Sequence, residues 1–267
     1  MKKINISCVI TTHNRDEYLK GAIYSALNQT HPPIEIVISN NIPNKKTQAI
    51  VELIAEKSSV PIHYIEHSMK GQGAISANLA VSKCEGDFIA FLMDDDLWEI
   101  RYLEKMSLLI SEKNSKIVYA WLSKLEGNNK TPYKQLKEGL TMKDLLLTNP
   151  GCGLSNLVVD KELFIGLGGL DDCILSDDKD FLIRAIYYDY KYHILKDNLV
   201  IERKGNYGQL TDINKNYLIG MKKFFKKHES HASPKVKIQF WIKYWKVYLY
   251  WKVYIKILGF NKNKIKS

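Results

Sequence analysis

The residues with the clearest chemical potential are three consecutive carboxylates, Asp94, Asp95 and Asp96, which directly follow the apolar run Phe88–Met93. Such a run is typical of a strand that is buried on both faces. Carboxylates at the end of a buried strand repel one another and are costly to desolvate unless a cation or water compensates their charge. Mg²⁺ and Mn²⁺ bind oxygen ligands, often one or two protein carboxylates together with water and a substrate phosphate. The context therefore predicts a divalent metal site, and a solvated acidic loop is the structural alternative.

A second acidic cluster, Asp177-Asp178-Lys179-Asp180, begins a predicted helix. Acidic side chains in the first turn interact favourably with the helix dipole, and this alone explains Asp177 and Asp178 in structural terms. Arg184 follows on the same helix, where we expect it to pair with acidic side chains rather than to contact a substrate.

Strands and helices alternate through the N-terminal part of the chain. The predicted strands are Ile4–Ile10, Ile34–Ile38, Ile62–Ile65 and Phe88–Met93, and the predicted helices are Asp16–Gln29, Thr47–Glu56, one that begins at Gly71-Gln72-Gly73 and, further along, Met142–Leu147. Such alternation predicts an α/β fold with a mainly parallel sheet, whose ligands bind at the carboxyl ends of the strands. The polar segments Thr11–Arg15, Ser39–Asn41 and Asp94–Asp96 follow three of these strands, so we expect them to lie together.

The positive charge of the chain is concentrated at one end. The 267 residues have a net charge of +10, but residues 213–267 carry fourteen lysines and one acidic residue, whereas residues 1–212 carry 25 basic and 28 acidic residues. We therefore divide the chain into a main domain, 1–205, and a C-terminal extension, 206–267. The acidic main domain argues against nucleic acid in its cleft, and the basic extension indicates an anionic surface as partner. The four cysteines are widely spaced and suggest neither a zinc site nor disulfides, so we expect a reducing, cytoplasmic setting.

The segment Lys235–Leu258 is predicted to be an amphipathic helix. At about 100° per residue, four lysines fall within half of the circumference and apolar side chains fill the other half. The lysines are Lys243, Lys246, Lys252 and Lys256, and the apolar residues are Phe240, Tyr244, Val247, Tyr248, Trp251, Ile255 and Leu258. Four lysines make membrane spanning costly, so we favour a helix in the plane of an anionic membrane surface. Packing onto the main domain or a second subunit, and stacking on nucleic acid, are the alternatives.

Three stretches of the chain together resemble family 2 glycosyltransferases with the GT-A fold. They are ISCVITTHNRDEYLKGAIYSALNQTHPPIEIVISNN, GQGAISANLAVSKCEGDFIAFLMDDDLW and GGLDDCILSDDKDFLIRA. The resemblance covers roughly residues 4 to 205 and depends on several ordered motifs rather than on one. It implies a GT-A domain, with a Rossmann-like, mainly parallel sheet flanked by helices, to which the helical basic-aromatic extension is added.

The resemblance implies a donor site at the ends of the first strands. Four residues are implied to bind the nucleotide base and ribose: Thr12, His13, Arg15 and Asn40. Many relatives have an Asp pair where this chain has Asn40-Asn41, so amide hydrogen bonds would replace charged ones. Arg203 matches a family arginine after the last strand, which implies a contact with the diphosphate.

The resemblance is compatible with two registers for the metal ligands. In the commoner register, Met93 takes the place of the first aspartate and Asp95 is the main ligand. In the other, seen in relatives with three aspartates, Asp94 and Asp96 bind the ion. We expect Asp95 and Asp96 to bind Mn²⁺ or Mg²⁺ and Asp94 to lie nearer the ribose, as part of the donor site.

The same resemblance gives the acidic helix N-terminus a catalytic role. An inverting sugar transfer needs a carboxylate opposite the leaving diphosphate, to take the proton of the acceptor hydroxyl. Gly168–Asp172 resembles the turn that precedes this base in the family. Asp178 is the implied base and Asp177 the second choice, while Ser155 or Asn156 is suggested as an acceptor contact.

Together with the basic extension, the resemblance predicts an inverting enzyme of bacterial capsule, O-antigen or lipooligosaccharide synthesis. We expect a UDP-hexose or UDP-N-acetylhexosamine donor, a saccharide acceptor that is linked to lipid, and a peripheral location at the inner face of the cell membrane; an oligomer is compatible with this. The main alternative is a non-catalytic nucleotide- or nucleic-acid-binding module. A nucleotidyltransferase is disfavoured, because Thr11–Asp16 lacks the glycine-rich basic phosphate loop expected after its first strand.

Overall fold

The computed structural model describes residues 4–13, 15–69, 73–171, 176–204 and 213–253, and all elements below belong to these ranges. The strands are β1 (Ile6–Thr12), β2 (Glu35–Asn40), β3 (Ile62–Glu66), β4 (Phe88–Met93), β5 (Asp96–Trp98), β6 (Ile117–Glu126), β7 (Asn129–Tyr133), β8 (Leu157–Asp160) and β9 (His193–Arg203). The α-helices are α1 (Asp16–Leu27), α2 (Lys45–Ala55), α3 (Gly73–Val81), α4 (Tyr102–Lys113), α5 (Met142–Leu147), α6 (Lys161–Gly166), α7 (Asp177–Tyr187), α8 (Lys215–His228) and α9 (Pro234–Tyr250).

The strands form one sheet in the order β3-β2-β1-β4-β8-β6-β9-β5, and β7 pairs with β6. Strands β3, β2, β1 and β4 are parallel, as are β6 and β9, whereas β8 runs antiparallel to β4 and β6. The register aligns Thr12 with Asn40 and Thr11 with Met93. The predicted α/β class is confirmed, and the carboxyl ends of β1, β2 and β4 lie at one edge of the sheet.

Burial on both faces explains the apolar runs of the central strands. Every residue of β1 and β2 is buried, as is the centre of β4. The flanking helices bury apolar side chains at helical spacing, and in α1 these include Leu19, Ala22, Ile23 and Ala26. Because both faces of the central strands are covered, a ligand can reach these strands only at their ends.

Helix α7 is fixed to the turn that precedes it by one arginine. Arg184 Nε donates to Asp180 Oδ2 at 2.8 Å, and the same guanidinium donates to carbonyls of the Leu167–Gly169 turn. From α3, the Asn78 amide donates to the Leu170 carbonyl and accepts from the Leu170 N–H, each at 2.8 Å. The expected pairing of Arg184 with an acidic side chain is confirmed, and these contacts hold the start of α7 in place.

The chain divides into two compact units, and the second unit includes a helix from the middle of the sequence. The first unit comprises residues 1–139, 150–172 and 177–206, and the second comprises residues 140–149, 173–176 and 207–267. In the second unit, α5 and α8 both pack against α9. The predicted C-terminal extension, 206–267, therefore includes α8 and α9. It does not include α5, which packs with them in the second unit.

The apolar face predicted for the C-terminal helix is a packing face. Phe240 is buried and stacks on Phe225 of α8, with the ring centroids 3.8 Å apart. Tyr244, on the same face, is half-buried. Lys243 extends beside this face and donates to the carbonyl of Leu147, at the end of α5, at 2.5 Å. Phe240 therefore packs within the second unit, and the expectation that this face lies on a membrane stays a prediction.

The continuation of the C-terminal helix through Ile255, Lys256 and Leu258, the predicted helix start at Gly71-Gln72, and Asp172 lie outside the described residues. Across the described ranges, every helix is too short or too polar to cross a bilayer.

The buried carboxylate of Asp180 gives a test of how α7 is held. Asp180→Ala leaves the Arg184 cation without its fully buried partner, so we expect the free energy of unfolding to fall by about 3–5 kcal/mol. Urea denaturation followed by circular dichroism measures the change. The matched control is Glu112→Ala, which removes an exposed ion pair with Lys113 and should cost no more than about 1 kcal/mol. Equal losses in the two variants would contradict the role given to Asp180.

Candidate functional site

The loop after β1 holds the first carboxylate of the aspartate triplet. Thr12 Oγ1 donates to Asp94 Oδ2 at 2.8 Å, and the backbone N–H of His13 donates to the same oxygen at 3.3 Å. Arg15 Nη1 donates to Asp94 Oδ1 at 3.2 Å. Burial raises the pKa of Asp94, and the Arg15 charge opposes that rise. Both oxygens of Asp94 are therefore engaged by residues that follow or end β1.

Arginine side chains approach Asp95 from two elements. Arg15 Nη1 donates to Asp95 Oδ2 at 2.8 Å, so one guanidinium nitrogen bridges the carboxylates of Asp94 and Asp95. From the end of β9, Arg203 Nη1 donates to the backbone carbonyl of Asp95 at 3.5 Å. The Asp95 side chain is 15% exposed, against 5% for Asp94. Asp95 is therefore the more accessible of these two carboxylates to a ligand.

Asp96 is buried and is oriented by a serine from a distant loop. Ser155 Oγ donates to Asp96 Oδ2 at 2.5 Å and accepts from the Met93 N–H at 3.0 Å. Burial, and then the Asp95 charge, raise the pKa of Asp96 well above its usual range, while the Ser155 hydrogen bond opposes the rise. One hydroxyl group thus fixes both the end of β4 and the third carboxylate.

The triplet fits a divalent ion whose coordination a substrate would complete. Across the described ranges, no three His, Cys, Asp or Glu side chains converge as a ligand set. Two carboxylates, water and a phosphate are, however, a common ligand set for Mg²⁺ and Mn²⁺. The bridging position of Arg15 between Asp94 and Asp95 indicates that a cation is favourable here. The assignment of Asp95 and Asp96 as metal ligands stays a prediction.

Asn40 is buried and hydrogen-bonded within the protein, whereas the next residue, Asn41, lies nearer the surface. Asn40 is fully buried, and its amide donates to Tyr64 Oη at 2.9 Å and accepts from the Ile42 N–H at 3.0 Å. Asn41 is half-buried, and its amide oxygen lies 2.7 Å from Nδ1 of His13. The contact between Asn40 and a nucleotide stays a prediction, and Asn41 is the amide that stands beside His13.

Arg203 lies over the first turns of α1. Its guanidinium carbon is 5.3 Å from the centroid of the Tyr18 ring, which is a cation–π distance. A Cβ atom at Gly21 would come within 2.9 Å of Arg203 Nη2. Gly21 thus leaves the space that the guanidinium occupies, and the predicted diphosphate-binding arginine lies beside the aspartate triplet.

Asp177 and Asp178 form a carboxylate pair at the start of α7. The Asp178 N–H donates to Asp177 Oδ1 at 3.0 Å, and the Lys179 N–H donates to Asp178 Oδ1 at 2.7 Å. Burial, and then the Asp178 charge, raise the pKa of Asp177 to about 7. A carboxyl group whose pKa is raised toward neutrality, as that of Asp177 is, is suited to exchange a proton near neutral pH.

One short segment of chain lies near both acidic clusters. Burial, and then the charge of Asp178, raise the pKa of the Cys152 thiol well above its usual range, which puts Asp178 close to Cys152. Three residues further along, Ser155 donates to Asp96. The structure therefore brings the triplet and the helix N-terminus to the same loop, although they are far apart in the sequence.

Asn156 holds that loop in shape. Its amide nitrogen donates to the carbonyls of Ala120 and Gly151, at 2.6 and 2.9 Å, and its oxygen accepts from the Gly153 N–H at 2.9 Å. Asn156 and Ser155 are both buried. Their suggested contact with an acceptor stays a prediction, while their observed role is to support the site.

Comparison with known proteins identifies the family. Residues 7–165 match the family model described as glycosyl transferase family 2. The chain belongs to this family. The matched segment includes the aspartate triplet and the Cys152–Ser155 loop but ends before α7. The role of Asp178 in this glycosyltransferase therefore depends on its geometry and on the resemblance of its motif.

Two relatives illustrate the range of similar sequences. An uncharacterized glycosyltransferase of Methanocaldococcus jannaschii is 28% identical over 268 residues, which cover 95% of this chain and 88% of the relative. The putative teichuronic acid biosynthesis glycosyltransferase TuaG of Bacillus subtilis is 26% identical over 159 residues, which cover 59% of this chain and 62% of TuaG. The similarity to the first relative extends through nearly the whole glycosyltransferase chain.

Two solved structures share the fold. S. aureus TarS 1–349 in complex with UDP-GlcNAc superposes with a TM-score of 0.72 at 16% identity, covering 95% of this chain and 77% of TarS 1–349. The mannosyltransferase PcManGT of Pyrobaculum calidifontis, in complex with GDP-Man and Mn²⁺, gives a TM-score of 0.68 at 15% identity, covering 95% of this chain and 71% of PcManGT. At such identities the likeness concerns the fold alone, and it supports the predicted GT-A architecture.

Several residues around the site of this glycosyltransferase were not predicted from its sequence. These residues contact His13, Arg203 or the turn before α7, and their types are common on helices and loops. They are Asn41, Tyr18, Gly21 and Asn78. Gly21 alone carried a signal, because a glycine inside a predicted helix often marks a close approach of another group.

Gly21→Ala tests whether the position of Arg203 matters for nucleotide binding. Alanine stabilises a helix by about 0.5–1 kcal/mol relative to glycine, so the variant should unfold at the same or a higher urea concentration. The added methyl group displaces the Arg203 guanidinium, and losing a charged hydrogen bond worth about 1.5–3 kcal/mol should weaken binding at least tenfold. Calorimetric titration with UDP measures the affinity.

The matched control is Gly166→Ala, at a helical glycine where an added Cβ has no neighbour within 4 Å. This variant should bind UDP as the wild type does. Unchanged affinity in Gly21→Ala would show that Arg203 does not contact the diphosphate from the position that Gly21 allows.

Proposed function

We propose that this family 2 glycosyltransferase transfers a sugar, with inversion at the anomeric carbon, from a nucleotide-sugar donor to a hydroxyl group of a saccharide. The observation that carries the proposal is that two carboxylate clusters lie near one loop and differ in their partners. Arg15 compensates the charge of Asp94 and Asp95, whereas burial and repulsion raise the pKa of Asp177 to about 7. The first environment suits a charged leaving group, and the second suits a base.

The donor is assigned to the loop after β1 and its neighbours. Arg15 and Arg203 can donate to the oxygens of a diphosphate, because a guanidinium group binds phosphate as readily as carboxylate. His13 can stack on the base, with Asn41 beside it. We propose a UDP-hexose or UDP-N-acetylhexosamine, which the TarS complex with UDP-GlcNAc supports; the PcManGT complex with GDP-Man makes a GDP-sugar the alternative.

Asp95 and Asp96 are the proposed ligands of Mn²⁺ or Mg²⁺. When bound, such an ion neutralises charge that develops on the leaving diphosphate. Mn²⁺ in the PcManGT complex supports this choice. Thr12 keeps Asp94 in one orientation and Ser155 does the same for Asp96. The triplet is thereby preorganised, which lowers the cost of reorienting charged groups during the reaction.

Asp178 is the proposed general base. The acceptor oxygen forms a bond to the anomeric carbon while the bond from that carbon to the diphosphate oxygen breaks, with its electron pair leaving on the nucleoside diphosphate. The hydroxyl proton passes to the Asp178 carboxylate. Arg184 and Asn78 act as positioning residues, since they fix the turn before α7.

The proposed acceptor is a saccharide linked to lipid, in the assembly of a bacterial surface polysaccharide. The relation to TuaG, which is named for teichuronic acid biosynthesis, supports this setting. A basic C-terminal extension supports action at the inner face of the cell membrane, where anionic lipids attract lysines.

The proposal predicts sugar transfer or slow donor hydrolysis with at least one member of a panel of UDP- and GDP-sugars in the presence of Mn²⁺. EDTA should abolish turnover, and added Mn²⁺ should restore it.

Asp178→Asn should lower kcat by about 10²- to 10⁴-fold, because the acceptor proton loses its base. Its affinity for UDP should not change.

Asp197→Asn serves as the control, because it removes an exposed carboxylate of β9 that pairs with Lys105. This variant should keep the wild-type rate. Transfer by Asp178→Asn at the wild-type rate would refute the assignment of the base, and nucleotide binding without turnover of any donor would favour a non-catalytic binding module.

The carboxylate pair also predicts a pH dependence. Activity should rise with pH through about 7, since Asp177, whose pKa is raised to about 7, must lose its proton before both carboxyl groups are ionised. Asp177→Asn removes a neighbouring negative charge, so the pH of half-maximal kcat/KM should move down by on the order of one unit. Rates measured from about pH 5 to pH 9 report it. An upward shift, or the same downward shift in Asp197→Asn, would contradict this prediction.

A further inference from the structure

One face of α9 carries large apolar side chains that the described chain leaves exposed. More than half of the surface of each of these side chains is accessible. They are Ile238, Ile242, Trp245 and Leu249, which we name the α9 stripe. At about 100° per residue they fall within roughly 60° of the helix circumference. An apolar row of this kind on an exposed helix face marks a surface that binds a partner or a lipid phase.

The α9 stripe is distinct from the face that packs within the second unit. Phe240 and Val236 are buried, and Phe240 stacks on Phe225 of α8. On the helical wheel these two residues lie roughly opposite the stripe. Packing therefore accounts for the aromatic face of α9 and leaves the α9 stripe without a role inside the second unit.

Lysines border the α9 stripe, and α9 contains no acidic residue. Lys237 and Lys246 line the same surface groove as the stripe side chains. Lys235 is exposed on the Lys246 side of the wheel. Lysines can extend their charged ends past an apolar surface into a layer of headgroups while their methylene groups remain against it.

We propose that the α9 stripe lies on an anionic phospholipid surface, with Ile242, Trp245 and Leu249 among the acyl chains and Lys237 and Lys246 among the phosphates. The helix lies in the plane of the interface, as amphipathic helices with apolar and basic sides do. This contact would serve the proposed function, since the proposed acceptor is linked to lipid. The contacts of α5 and α8 with α9 leave the α9 stripe exposed, whatever the acceptor is.

Charge decides between a lipid surface and a second copy of the chain. The spacing of the stripe, four then three then four residues, would also suit a pair of helices. Two copies of α9 would, however, bring Lys237 and Lys246 against lysines of the other copy, and α9 offers no carboxylate to compensate them. Anionic headgroups compensate the lysines directly, so the lipid surface is the complementary partner.

The test is co-sedimentation of the full chain with vesicles, in the absence of donor and acceptor. We expect binding to vesicles of equal parts phosphatidylcholine and phosphatidylglycerol, and little binding to phosphatidylcholine alone. Ile242→Ser combined with Leu249→Ser should weaken binding at least tenfold, because two apolar side chains no longer enter the lipid. Lys237→Gln combined with Lys246→Gln should weaken it roughly fivefold for each lysine lost.

The matched control is Leu53→Ser combined with Ile165→Ser, which removes two comparably exposed apolar side chains from α2 and α6. It should bind vesicles as the wild type does. A second readout is tryptophan fluorescence, whose shift to shorter wavelength with mixed vesicles should be smaller in Trp245→Phe. Because the substituted residues are exposed, apart from the half-buried Lys237, circular dichroism of each variant should match that of the wild type.

Three results would overturn the inference: serine variants of the stripe that bind like the wild type, equal binding to neutral vesicles, or a dimer in lipid-free solution that the same serine variants convert to monomer. The vesicle assay is independent of catalysis. Asp178→Asn should bind vesicles normally, so loss of transfer by that variant and loss of lipid binding by the stripe variants report on separate claims.

Discussion

The site depends on how the charge of three adjacent carboxylates is compensated at the end of β4. Their repulsion and their burial both disfavour ionisation, and an apolar sheet cannot offset either effect. Arg15 offsets part of it by bridging Asp94 and Asp95, while Ser155 donates to Asp96. These contacts require β1 and β4 to end at the same level, which their parallel register provides. The strand order is therefore a condition for the chemistry.

The second carboxylate cluster lies at the start of a helix rather than at the end of a strand. Burial, and then the charge of Asp178, raise the pKa of Asp177 to about 7. Arg184 is near in the chain, but its nitrogens are directed to Asp180 and to the carbonyls of the preceding turn. Two groups of the same residue type thus acquire different properties from their partners, as expected when one must tolerate anionic charge and the other must accept a proton.

The sequence predicted the elements whose signals are local. The bounds of β4 and α5 were predicted as observed, because β4 is an uninterrupted apolar run and α5 begins with a capping box formed by Thr141 and Asp144. The antiparallel direction of β8 could not be predicted, since Leu157-Val158-Val159 has the same composition in either direction. The residue type alone also does not reveal the partner of a polar side chain at the site. An amide such as that of Asn40 can bond to a nucleotide or to a protein side chain, and in the structure it donates to Tyr64.

The C-terminal helix shows why an apolar pattern does not identify its own partner. Apolar side chains surround much of α9, so periodicity alone could assign either face to the protein interior. The contacts select the Phe240 face, because its ring stacks on Phe225 and because Lys243 donates to a carbonyl at the end of α5. Helix carbonyls at a C-terminus lack partners within the helix, so this lysine stabilises α5 and α9 together. Packing therefore uses the aromatic face and one lysine, and the α9 stripe stays accessible beside Lys237 and Lys246.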